Sequence, residues 1–314
     1  MPGPFDTSID DGQQPSPREK AREALLAWYR PRRRAYPWRA PARQGARRPD
    51  AYAVLVSEVM LQQTQASRVV PAFEAFMTRF PDVRALASAS RADVLRSWRR
   101  LGYPRRAVAL HRAADQIVEQ HDGVVPCDRE ALRALTGVGE YTSAAVASLA
   151  YGARIAVVDT NVRRVWARVD RGVEPDEVSD RELKLAADAW LDPRRPEAWN
   201  QALMDLGREV CRPSPRCHDC PLRPWCAFAA AGRTGRPSAR RQPRFEGSLR
   251  QVRGAVTAEL RARSPRTVGA IVRATGLPTS RIAEAVRGLH GDGVVVASPA
   301  ALEGRERGLL SLPD

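Results

Sequence analysis

Lysine is nearly missing from this chain. Of its 51 basic residues only Lys20 and Lys184 are lysine, so any chemistry that needs a lysine amine has two candidates. Cysteine is also sparse. Five in 314 residues, four of them in one short stretch, argue against a secreted disulfide framework. No run approaches the ~20 apolar residues of a membrane helix. No signal-peptide hydrophobic segment lies near the start, so a cytoplasmic location is expected. Acid is in deficit: the formal net charge is +15 and the pI about 10.7. That imbalance predicts a polyanionic partner. Nucleic acid is favoured over an anionic membrane, because no long basic helix carries a leucine or aromatic face.

The rest of the chain is organised around residues 135–161, LTGVGEYTSAAVASLAYGARIAVVDTN. DREALRAL before the glycines and Glu140–Tyr151 after them both have helical spacing. Gly137, Val138 and Gly139 therefore form a tight turn that opens a helix. Such a turn presents bare N–H groups at a positive helix end, which suits a phosphate. IAVV then delivers Asp159. Val162, Val165, Trp166 and Val169 follow at i, i+3, i+4, i+7, so Asp159 stands at a helix start. Taken singly, the glycines read as an ordinary turn and the acid as an ordinary N-cap.

YAVLVSEVMLQQTQ at 52–65 is the second key element. It is apolar nearly all round, which predicts a buried helix with Glu58 in its middle. A buried carboxylate needs a partner or must hold its proton, and a carboxyl held near neutrality is what a general acid requires. Gln62 and Gln65, four and seven residues on, are expected close to the face of Glu58. The plainer reading is a structural Glu paired with one of the many arginines. Nearer the start, YPWR at 36–39 offers Trp38 as a core anchor.

Cys211, Cys217, Cys220 and Cys226 follow a C-x5-C-x2-C-x5-C spacing with prolines between them, the pattern of a metal site. Spacing alone fits either zinc or an iron–sulfur cluster. Cys127 stands alone and reads as a plain thiol. Elsewhere, helices are expected at 17–29, 68–79, 91–99, 104–120, 178–191 and 196–208. Residues 1–17 read as a disordered tail and 229–247 as a basic linker. In 248–314, three helices and two short β-like runs suggest a winged-helix-like domain, with a plain packing domain as the alternative.

The hairpin and Asp159 together resemble the helix-hairpin-helix, Gly/Pro…Asp signature of the endonuclease III and MutY DNA glycosylase superfamily. SEVMLQQTQ at 57–65 is similar to the MutY branch almost letter for letter. The resemblance spans roughly residues 20–228. It implies an all-α fold: a six-helix barrel over 42–149, and an iron–sulfur helical module built from 18–41 and 150–228. The four cysteines would hold one [4Fe–4S] cluster. The implied activity is monofunctional, hydrolytic removal of adenine mispaired with 8-oxoguanine or guanine in double-stranded DNA. A monomer is expected, acting at the bacterial nucleoid. By the same resemblance Glu58 protonates adenine and Asp159 stabilises the sugar cation, with Tyr141 and Asn161 orienting sugar and acid. Gln62, Gln63 and Thr64 would enter the base stack and Tyr103 of LGYPRRA would be a wedge. Trp38, Arg39 and Gln201 would border the adenine pocket, and Gly137, Val138 and Gly139 would grip the DNA backbone.

The chain departs from the family pattern in four places. Thr136 stands where a proline usually precedes the first hairpin glycine. Pro104 replaces a second tyrosine. The first cysteine gap is five residues, not six. The C-terminus is too short and too helical for the Nudix-like domain that reads 8-oxoguanine. Three other readings remain open on sequence: a thymine or uracil mismatch glycosylase, an endonuclease III-type bifunctional lyase, and a non-catalytic DNA-binding module.

Overall fold

The computed structural model describes residues 15–42, 46–98, 101–236 and 244–314. Most of the expected tail, to residue 14, and the middle of the expected linker, 237–243, lie outside the described residues. The described chain forms α1 (Pro17–Tyr29), α2 (Ala51–Leu61), α3 (Ala66–Arg79), α4 (Val83–Ala87), α5 (Arg91–Ser97), α6 (Arg105–Gln120), α7 (Arg129–Ala134) and α8 (Glu140–Tyr151). It continues with α9 (Thr160–Val169), α10 (Asp180–Trp190), α11 (Pro196–Glu209), α12 (Ala227–Ala230), α13 (Leu249–Ala262), α14 (Val268–Thr275), α15 (Thr279–Gly291) and α16 (Pro299–Leu302). Three short strands, β1 (Arg266–Thr267), β2 (Val296–Ala297) and β3 (Leu309–Ser311), complete it. Side-chain caps fix where many helices begin: Asp50, Asp82, Ser90, Asp128 and Asp159 each accept from a first-turn N–H. Ser16 with Glu19 and Ser179 with Glu182 form full capping boxes.

The chain divides into two compact units. One comprises Met1–Arg33 and Val158–Pro237, the other Arg34–Val157 and Ser238–Asp314. In the first, α1 and α9 pack on α11. Trp166 lies at its centre, its ring 5.5 Å from Trp190 and 6.2 Å from Trp199. The deepest charge there is Arg168, 1% exposed and paired with Glu174 at 2.9 Å. Its guanidinium also lies 4.9 Å over the Phe228 ring. A buried pair like this tolerates loss of neither partner, because the survivor would be an uncompensated charge.

In the second unit α2 is the central element, packed by α3, α6 and α8. Every residue from Val54 to Met60 is buried, which is why the segment is apolar all round. Residues 248–314 fold as α13, α14 and α15 with an antiparallel sheet in the order β1-β3-β2. Arg266 pairs with Leu310 and Val296 with Ser311. The α13 helix packs on α5. The sheet has three strands, not the two runs expected, because Arg266–Thr267 pairs ahead of α14. The short α4 was likewise not foreseen.

One expectation is overturned. The helix read over 52–65 ends at Leu61, so Gln65 does not continue the face of Glu58. Gln62 is its C-cap, and Gln65 is already the N-cap of α3. Arg106 caps this end, its guanidinium taking the carbonyls of Val59, Met60 and Gln62 at 2.8, 3.0 and 2.6 Å.

Candidate active site

Glu58 is 5% exposed, held on α2 between the buried Ser57 and Val59. The turn after α2 carries Gln62, Gln63 and Thr64. Gln63 adopts φ +54, a left-handed backbone uncommon outside glycine. Tyr103 shares that conformation at φ +45. Trp38 is buried, stacked 4.8 Å from Tyr36 and edge-on to Phe73 at 5.3 Å. Arg39 lies over the other neighbour, 5.1 Å from the Tyr36 ring. Trp38 is thus the core anchor its residue type suggests.

The hairpin needs its glycine. Gly137 has φ +79, and a Cβ there would sit 2.7 Å from the Cβ of Ala109 on α6. Val138 is buried, and Gly139 forms the N-cap of α8 with no side chain capping it. Thr136 supplies an N–H that a proline would lack, and it donates to Gln116 Oε1 at 2.7 Å. Val59, Gln62, Arg105, Ala109, Thr136 and Gly137 line a cavity of about 200 Å³ beside the hairpin. Tyr141, half-buried, stands on the first turn of α8.

In the other unit, Asp159 is the N-cap of α9. Its Oδ1 accepts from the Asn161 and Val162 N–H groups at 2.9 and 2.7 Å. Its Oδ2 accepts from the Asn161 side-chain amide at 2.8 Å. Three donors at a helix N-terminus fix the direction of the carboxylate. Asn161 is held in turn by Arg164, whose Nη2 donates to Asn161 Oδ1 at 2.9 Å and to the Gly207 carbonyl at 2.7 Å. The Arg164 Nε donates to the Cys211 carbonyl at 2.6 Å. Gly207 lets α11 come this close: a Cβ there would be 2.8 Å from Asn161 Cβ. Gln201 is buried, and its Oε1 accepts from the Tyr29 hydroxyl at 2.8 Å.

Cys211, Cys217, Cys220 and Cys226 line one further cavity, with Val165 and Phe228 on its wall. Burial pushes the Cys211 and Cys226 thiols up and that of Cys220 up to about 12. The guanidinium of Arg168 reaches Cys211 Sγ at 3.9 Å, and Cys226 Sγ donates to the Arg168 carbonyl at 3.6 Å. Among the described residues no group of three or more His, Cys, Asp or Glu could hold a metal ion as placed.

Sequence reasoning overlooked Arg106, Arg164 and Gln116. Among so many arginines a single one carries no signal. Arg106 did leave a trace, as a charge on the apolar stripe of Leu110, Ala113 and Ile117.

A family model described as HhH-GPD superfamily base excision DNA repair protein matches residues 56–188. The helical fold and the hairpin leading to Asp159 thus define a class of base excision repair proteins. An adenine DNA glycosylase of Mycolicibacterium smegmatis is 45% identical over 238 residues, covering 76% of this chain and 79% of that one. One from Mycobacterium tuberculosis is 46% identical over 256 residues, covering 78% and 80%. Among solved structures, a thermostable thymine-DNA glycosylase matches with TM-score 0.61 and 27% identity, over 68% of this chain and 97% of that one. A DNA complex of endonuclease III shares the fold, with TM-score 0.55 and 20% identity over 69% and 99%. The chain belongs to the HhH-GPD superfamily and, within it, to the adenine DNA glycosylases, hydrolytic enzymes of base excision repair.

Proposed function

We propose that the chain acts on double-stranded DNA in the bacterial cytoplasm, as a monomer, and removes adenine mispaired with 8-oxoguanine or guanine. The observation that carries the reading is the contrast between two carboxylates. Glu58 is 5% exposed in an apolar helix, whereas Asp159 accepts three hydrogen bonds at a helix start. That contrast in surroundings divides the roles of general acid and charge stabiliser between the two.

The target nucleotide must leave the stack, because its glycosidic bond is unreachable inside the duplex. Gln62, Gln63, Thr64 and Tyr103 fill the gap. The Gly137–Gly139 turn and the uncapped start of α8 hold the backbone phosphate. Trp38, Arg39 and Gln201 border the base. Glu58 hands its proton to the adenine, turning it into a neutral leaving group. Asp159, oriented by Asn161, stabilises the positive charge that builds on the sugar. Tyr141 sits against the sugar, and water is the final acceptor. Residues 18–41 and 150–228 make up the cluster module, 42–149 the barrel, and 248–314 a winged-helix domain joined by the 229–247 linker.

The four thiols fit a [4Fe–4S] cluster, the group that the family resemblance implies. They line one shared cavity, and four thiolates around one space are the ligand set of such a cluster. The bound cluster would be structural, holding the 211–226 loop that presents Arg212, Arg216 and Arg223. Within the chain, that loop reaches Asp159 through Arg164 and Asn161.

The test is release of free base from four duplexes: A opposite 8-oxoguanine, A opposite G, T opposite G, and U opposite G. Adenine should leave the first two and nothing the others. Thymine or uracil release without adenine release would move the chain to its thymine-specific structural neighbours.

A further inference from the structure

Arg106 stands at the start of α6 and is 7% exposed. Its Nη1 donates to three carbonyls at the end of α2: Val59, Met60 and Gln62. Its Nη2 donates to Thr64 Oγ1 at 3.2 Å and to the Leu101 and Gly102 carbonyls at 3.1 and 3.2 Å. The guanidinium plane lies 5.6 Å from the Trp98 ring and 5.5 Å from the Tyr103 ring. One side chain therefore joins two turns about forty residues apart in sequence. Each turn contains a non-glycine residue in the left-handed region, Gln63 in one and Tyr103 in the other. Such a backbone persists only where its surroundings over-determine it. Here the Arg106 guanidinium is the largest part of those surroundings, beside Trp98 Nε1, which donates to the Gly102 carbonyl at 3.1 Å, and Thr64 Oγ1, which donates to the Leu101 carbonyl at 3.5 Å.

We propose that Arg106 is a positioning residue that locks the 62–64 and 101–103 turns into one rigid wedge, so that Gln63 and Tyr103 enter the base stack together. The proposal rests on the DNA reading above. Only arginine can do this from one position. Its planar fork offers five donors in fixed directions, where a lysine ammonium offers three on a flexible stem. The wedge must displace stacked bases, and a preformed wedge does not lose the ordering entropy that two independent loops would. Burial lowers the guanidinium pKa to about 10, yet leaves it charged at neutral pH. Six oxygen acceptors shared by its four Nη hydrogens, together with two ring faces, offset that desolvation, while Nε is buried without a partner.

The experiment places 2-aminopurine beside an A:8-oxoguanine mismatch, where it brightens on unstacking. Binding, fluorescence rise and single-turnover adenine release are measured with wild type, Arg106→Lys and Thr64→Val. Thr64→Val deletes one clamp partner without stranding a buried charge. Wild type should brighten the probe. Arg106→Lys should bind within about threefold, since phosphate contacts dominate affinity. It should lose most of the brightening and about 10²-fold in single-turnover rate, the scale of a misplaced contact. Thr64→Val should show the same pattern, weaker. Wild-type brightening in both variants overturns the clamp. So does a loss of rate that tracks only the folded fraction, with unchanged brightening per bound molecule. Should Arg106→Lys fail to fold, Thr64→Val decides alone. Brightening by wild type without adenine release would instead overturn the adenine reading and leave the clamp standing or falling on the fluorescence.

Discussion

Glu58 has lost almost all contact with water, and the mechanism asks it to give up a proton. Glu58→Gln keeps the shape and removes the proton. Adenine release should fall by about 10²–10⁴-fold, the range for one general acid, while mismatch binding stays close to wild type. Release at near wild-type rate would make Glu58 a structural residue. A second residue-scale prediction concerns stability. Burial raises the Tyr151 phenol to about 12, and its hydroxyl donates to the Val125 carbonyl. The folded value lies above the model-compound value of 10.0, so this contribution is complete below pH 10 and is lost as pH rises towards 12. Tyr151→Phe should cost about 1 kcal/mol at pH 8. Its gap to wild type in thermal unfolding should close between pH 10 and 12. A gap that stays constant with pH would show that the ionisation is not linked to folding.

Whole elements were easier to read in the sequence than the links between them. Helical spacing placed α1, α9, α10 and α11 to within a few residues, because that signal is local. Glu58 stood out because an acid inside an apolar run has no cheap explanation, and Asp159 because it preceded a periodic stripe. The ends of α2 and the roles of Arg106, Arg164 and Gln116 depend on partners far away in the chain, which no local pattern encodes. Two predictions belong to elements. On the function proposed above, Tyr141 on the first turn of α8 would stand against the sugar, where a lysine could form a Schiff base. Wild type should therefore leave an intact abasic site, with no borohydride-trapped complex and strand breaks only after hot alkali. Tyr141→Lys should trap, and trapping by wild type would reverse the monofunctional assignment. In the 211–226 loop, the purified protein should be brown, with about four irons and no zinc per chain. Cys217→Ser should bleach it and weaken DNA binding. A colourless, zinc-loaded and fully active preparation would overturn the cluster.

At the scale of the whole molecule, residues 248–314 bring ten arginines and six acids, and α13 packs on α5. Deleting them should weaken duplex binding and make its salt dependence shallower, because fewer counterions are released. Unfolding should come a few degrees earlier as the α5 face is uncovered. Some adenine release should survive, and a folded truncation with none would place this domain in the catalytic apparatus. The interleaving of the first unit has a different kind of consequence. Helix α1 is made first, yet Tyr29 finds Gln201 172 positions later. At ~5–20 residues per second, the ribosome needs on the order of 10–30 s to supply that partner. During that interval Leu25, Leu26 and Tyr29 have nothing of their own unit to bury against. The capping box at Ser16 and Glu19 and the first-turn Pro17 are local devices that helix carries by itself. The apolar face of α1 thus waits longer for its cover than one whose helix packs on the next in sequence.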